Sequence, residues 1–247
     1  MKRSLSFGAI LSVSAFVASF SMNSASAQDV PWDAQYQGYV ALSTDYAHRG
    51  ISRADESFAL QAGVELEHNS GLYGGVDASS VDFNDSDEAK IELDVGAGYR
   101  GVYENVRYEG DLSYYMYPGA NDSLDYDYAE LSAKVGYDFD VVDTEASISY
   151  SPDYLKGSGS AQYYKLGAEV PIDAWPNLKA TGHVGYQVID DERNFGVPDY
   201  TEWSLGAEYS YYGLDFTGEY SDTDLDEPSE CVDGCDARLV LGVSKSF

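Results

Sequence analysis

From Tyr36 onward the chain alternates apolar and polar residues with a period of two, the mark of a strand whose two faces meet different surroundings. Tyr36, Gly38, Val40, Leu42, Thr44 and Tyr46 share one face, and Gln37, Tyr39, Ala41, Ser43 and Asp45 share the other. Phe58, Leu60, Ala62, Val64 and Leu66 resume the pattern, Asn69-Ser70-Gly71 forms a tight hairpin turn, and residues 72–81 return. Such a turn is rich in residues that tolerate positive φ. The same alternation recurs over 91–99, 106–116, 129–137, 142–150, 164–170, 178–188, 203–209, 214–220 and 237–247, which predicts about twelve strands.

The connections alternate in length. Short ones fall near Asn69, Glu104, Phe139, Pro176 and Tyr212, and longer acidic ones near Ala54, Asp85, Asn121, Gly157, Asn194 and Pro228. Short turns at one end and long loops at the other are the pattern of an outer-membrane barrel, with the turns periplasmic and the loops extracellular. The apolar face carries aromatic residues at its ends: Tyr46, Phe58, Tyr150, Tyr164, Tyr186, Trp203 and Tyr220 toward the loops, and Tyr36, Tyr99, Tyr137, Tyr209 and Phe247 toward the turns. Two aromatic girdles fit two membrane interfaces. A soluble sandwich or lipocalin-like barrel turns its apolar face inward and has no use for them. The last strand is apolar, alternating and ends on Phe247; an uncovered edge of that kind invites aggregation, so we expect it to pair with the first strand. The predicted fold is all-β: a transmembrane antiparallel up-and-down β-barrel.

Residues 1–27 read as a signal peptide. Lys2 and Arg3 precede an apolar run, and Ala25-Ser26-Ala27 is a small-residue cleavage site. The run is too short and serine-broken for a spanning helix. Residues 28–247 then form the barrel domain, and loss of the leader takes the formal charge from −29 to −31. Such a chain lacks the basic patch that nucleic acid requires, and its 23 tyrosines argue against disorder. Cys231 and Cys235 are the two cysteines, expected to pair in a disulfide in an oxidising compartment, with free thiols as the alternative. No histidine lies near enough to complete a zinc site.

The chain resembles the TorF-type porin family, the Gcw_chp conserved hypothetical outer-membrane proteins of Gram-negative bacteria. The likeness is carried by Ser43-Thr44-Asp45-Tyr46, Arg49-Gly50-Ile51-Ser52, Gly71-Leu72-Tyr73-Gly74-Gly75 and Ser79-Ser80-Val81-Asp82-Phe83. Further along it rests on Tyr115-Met116-Tyr117-Pro118-Gly119, Tyr128-Ala129-Glu130 and the ending Val243-Ser244-Lys245-Ser246-Phe247. The resemblance implies an outer-membrane β-barrel acting as a porin and brings no catalytic residues and no cofactor.

Function falls to the inward face. Asp45, Asp77, Glu92, Asp94, Glu109, Asp111 and Glu130, with Arg49, Arg107 and Lys134, are the candidate lumen and mouth residues. Across all inward positions acids outnumber bases by about two to one, an excess that attracts cations if water fills the interior. The leading reading is therefore a cation-preferring channel for passive diffusion of small solutes. The alternative is a closed structural or adhesive barrel whose charges pair across a narrow lumen. Arg49 is read either as part of a constriction or as a loop-fixing ion pair, and Tyr115, Tyr117, Tyr126, Tyr128 and Tyr163 as interior filling. Lys90 is counted among the inward bases. Asp222-Thr223-Asp224-Leu225-Asp226 begins like a calcium loop, but Glu227 stands where the loop needs Gly, so no metal site is assigned. A lipid hydrolase is the remote alternative; His48, His68 and His183 offer it no clear partner set, and the chain is read as a non-enzyme. The expected partners are outer-membrane lipid, lipopolysaccharide, the barrel assembly machinery, with Phe247 as its signal, and small solutes.

Overall fold

The computed structural model describes residues 34–83 and 89–247; the leader assigned to residues 1–27 lies outside them. The chain opens with β1 (Ala34–Ser43), followed by the short β2 (Ala47–His48) and β3 (Ile51–Ser52). Then come β4 (Ala59–His68), β5 (Leu72–Ser80), β6 (Ile91–Tyr103) and β7 (Val106–Met116). The remainder comprises β8 (Tyr128–Asp138), β9 (Asp143–Ser151), β10 (Ala161–Pro171) and β11 (Leu178–Ile189). After one helical turn, α1 (Glu192–Phe195), the chain ends in β12 (Tyr200–Tyr211), β13 (Leu214–Thr223) and β14 (Arg238–Ser246).

Twelve of these strands, all but β2 and β3, close into an antiparallel barrel in which each pairs with its sequence neighbours and β14 pairs with β1. The seam runs from Tyr39 opposite Ser246 to Ser43 opposite Gly242, extended by reciprocal 2.9 Å bonds between the backbones of Gly38 and Phe247. Closure through the terminal strand is thus as expected, and it leaves no edge.

The outside is the apolar face. Leu205 is 63 % exposed and Leu72 58 %, and Val40, Leu60, Val95, Leu131, Leu166 and Leu241 stand out with them. Tyr150, Tyr164, Tyr186, Trp203 and Tyr220 are exposed at the loop end, and Tyr36, Tyr99, Tyr137, Tyr209 and Phe247 at the turn end. This arrangement is inverted relative to a soluble protein and suits a lipid surround. Lys245 is exposed too, close enough to the interface to snorkel.

Tyr46 departs from the girdle assignment. It is 1 % exposed and donates its hydroxyl to Glu92 at 2.7 Å, because β1 ends at Ser43 and the chain turns inward, so the period-two phase no longer fixes its direction. Lys90 also departs from the inward assignment: it precedes β6 and pairs with Asp82 at 2.8 Å, half-exposed at the rim.

Candidate functional site: a plugged, charged lumen

The first long connection, residues 44–58, folds into the barrel. Its β2–β3 hairpin turns through Arg49 and Gly50, both at positive φ (54° and 81°), the backbone of a tight two-residue hairpin turn. A side chain at position 50 would meet Thr223 and Glu202 at 2.7 and 2.8 Å, so the tip of the hairpin touches the β12–β13 wall. Only Gly combines that backbone with that approach.

Two arginines anchor the hairpin. Arg49 donates to Glu130 at 2.5 Å and Gln187 at 2.8 Å, on β8 and β11. Its guanidinium lies 4.5 Å from the Tyr163 ring centroid, within cation–π range. Arg53 pairs with Glu92 on β6 and donates to Tyr117 (2.7 Å), Tyr128 (3.2 Å) and Tyr154 (3.4 Å). Tyr115 stacks on Tyr128 at 4.4 Å and Tyr154 meets Tyr128 edge-on at 4.6 Å. The inward tyrosines therefore pack around both guanidinium groups as well as filling space.

Charge pairing permits this burial. Removing an arginine from water is costly unless carboxylates and hydrogen bonds replace the lost solvation, and Glu130 and Glu92 hold Arg49 and Arg53 firmly protonated. His48, buried beside them, is held well below its ordinary pKa by desolvation and by the two arginines.

The plug is also tied to the last loop. The Ser52 N–H donates to Gly234 O at 2.8 Å, inside the loop closed by the Cys231–Cys235 disulfide. Ile51 packs on the buried cluster containing both cysteines, Leu225, Val197 and Tyr200, while Tyr200 donates to Arg49 O at 3.0 Å. Asp45 accepts from Ser52 (2.7 Å) and Arg238 (3.1 Å). Glu227 lies beside the two sulfurs; the sulfurs bind each other, and its carboxylate caps the Cys235 and Asp236 N–H groups. Asp222 and Asp224 of the calcium-like run accept from backbone N–H groups.

Below the plug, toward the short turns, the lumen is lined by ion pairs. Arg100 holds Glu65 at 2.7 Å and stacks on Tyr73, and Glu109 accepts from Tyr73 and Lys134, both at 2.9 Å. Lys134 also lies 4.0 Å from Asp111, and Arg107 pairs with Asp143 near the turn end. Asp77 accepts from Tyr39 at 2.8 Å, and Asp94 stands opposite it in the ladder. All ten candidate residues face inward, but they divide: Asp45, Arg49, Glu92 and Glu130 hold the plug, whereas the others line the wall beneath it. Across the barrel Lys165, His183, Glu145 and Glu219 are only half-buried, so that wall is in contact with solvent.

Sequence reasoning missed Gln187, which carries no charge signal, and Ser204, which stands opposite His183 and lies 2.8 Å from its Nδ1. Glu202 contacts the other ring nitrogen at 2.9 Å. The set resembles a hydrolytic triad, yet Ser204 sits in the middle of β12 with ladders on both sides, where backbone N–H groups are committed and cannot form an oxyanion hole.

A closed barrel with an apolar outer belt and a charged interior defines the class: an outer-membrane, porin-like β-barrel. The chain itself belongs to the Gcw_chp family, described as bacterial protein of unknown function, which matches residues 27–247. No curated protein matches it in sequence. Among solved structures it is similar to the NanC porin (TM-score 0.57, 9 % identity, 85 % of this chain and 98 % of that one). A KdgM porin in complex with disordered oligogalacturonate gives 0.54 and 9 % over 86 % and 99 %. The COG4313 outer membrane channel from Pseudomonas putida F1 gives 0.52 and 12 % over 91 % and 99 %. At these identities the likeness is one of fold.

Proposed function

We propose that the chain is an outer-membrane channel for passive diffusion of small solutes, preferring cations and exported through its N-terminal leader. The observation that carries the proposal is the inward wall, where carboxylates exceed the basic groups and many remain in contact with water. An acidic lumen concentrates cations and repels anions. The TorF-type resemblance and the porin fold of the neighbours support the same reading. Hydrolysis is not part of it, for want of an oxyanion hole beside Ser204.

The buried Arg49 and Arg53 contacts favour a second reading, a barrel held shut by its own loop. Planar-bilayer recordings in a salt gradient separate the two. The channel reading expects conductance with a reversal potential of cation-selective sign, increased when Arg49 and Arg53 are both replaced by Met. Removing one partner of a buried pair costs about 3 to 5 kcal/mol, enough to release the hairpin. Silence from both proteins in every salt leaves only the closed barrel.

A further inference from the structure

We infer that the lumen wall directly beneath the plug holds a binding site for a hard divalent cation, between Asp77 of β5 and Asp94 of β6. The two carboxylates are directly opposed across adjacent antiparallel strands, where facing residues have Cβ atoms about 5 Å apart and like charges repel. Both are buried, at 3 % and 8 % exposure. Buried charges in folded proteins are paired or coordinate metal. Asp77 Oδ1 accepts the Tyr39 hydroxyl, a neutral donor, and Asp94 Oδ1 is buried with no hydrogen-bond partner among the described residues.

The neighbouring basic group directs its hydrogen bonds elsewhere. Arg53 spends its terminal nitrogens on Glu92 and three tyrosines, and both oxygens of Glu92 are taken by Arg53, Tyr117 and Tyr46. Two residues toward the turn end, Gly75 and Gly96 face each other. A β-carbon at Gly96 would meet the Ser113 hydroxyl at 2.9 Å and one at Gly75 would meet Glu65 at 3.5 Å, so oxygen-bearing side chains close in on that side of the pair. Carboxylate and phenol oxygens with no thiolate suit calcium or magnesium, with affinity set by the number of charged ligands.

The site deepens the cation-channel reading by naming a divalent ion as one that the pathway retains, yet binding is measurable on the folded barrel in detergent without any conductance. Calcium titrated at constant ionic strength, followed by calorimetry and by the thermal midpoint, should bind the wild type about tenfold more tightly than Asp94→Asn. Asp77→Asn should match that loss, and Asp111→Asn should retain binding. In chelator Asp94→Asn should melt no lower than wild type, since it removes a repulsion. Equal calcium responses of wild type and Asp94→Asn overturn the site whether or not the barrel conducts. Binding lost in Asp94→Asn, in a barrel that never conducts, keeps the site and removes the channel.

Discussion

At the scale of single residues, the plug is governed by how its buried polar groups titrate. His48 is 4 % exposed and both ring nitrogens lack hydrogen-bond partners among the described residues. Desolvation, Arg53 and Arg49 hold it below its ordinary 6.5 in the folded protein. Once unfolded it takes up a proton below pH 6.5, whereas the folded form does not, so its contribution is complete above 6.5 and declines as pH falls. Hydrogen exchange across residues 44–58, corrected for intrinsic rate, should therefore quicken between pH 7 and 5. A His48→Phe protein should show a flatter profile, and identical profiles would refute the assignment. Period-two phase fixes the direction of neither Tyr46 nor Arg49, because β1 ends at Ser43 and the β2–β3 hairpin sets where Arg49 goes. The partners of Arg49 were not legible either, because Glu130 and Gln187 lie on strands that alternation alone cannot place across the barrel.

At the scale of elements, the alternation and the sequence of short and long connections gave the strand number and the end of the barrel that bears the loops. The β2–β3 hairpin escaped notice because two-residue strands contain no period to detect. Its retention depends on the Cys231–Cys235 loop, through the Ser52 to Gly234 bond and the packing of Ile51. Replacing both cysteines by Ser should leave the barrel spectrum intact, since the bridge closes a short loop outside the strand ladders. Trypsin should then cleave after Arg49 or Arg53, which are 5 % and 4 % exposed in the intact protein. Unchanged protection would mean that the arginine contacts alone retain the hairpin.

At the scale of the whole molecule, closure was legible because an alternating strand that ends on an aromatic residue leaves few options besides pairing with the first strand. The seam is short: β1 is bonded along its full length to β4, but to β14 from Tyr39 to Ser43, with the Gly38–Phe247 pair at one end and the Thr44 N–H to Leu241 O bond at the other. Deleting Phe247 removes both bonds of that pair, together with a ring that packs so closely over Gly38 that a β-carbon there would lie 2.8 Å from it. The fraction of heat-resistant folded barrel recovered from membranes should fall, and full recovery would count against the seam as the weak point. The plug, finally, imposes an order of events in time. Arg49 sits just after β1, yet its contacts wait for β8, β11 and β12, and the Ser52 tie waits for the loop before β14. The full set of these contacts can form only once β8, β11, β12 and the loop before β14 are in place, so a fully locked plug records that those parts of the barrel have been assembled.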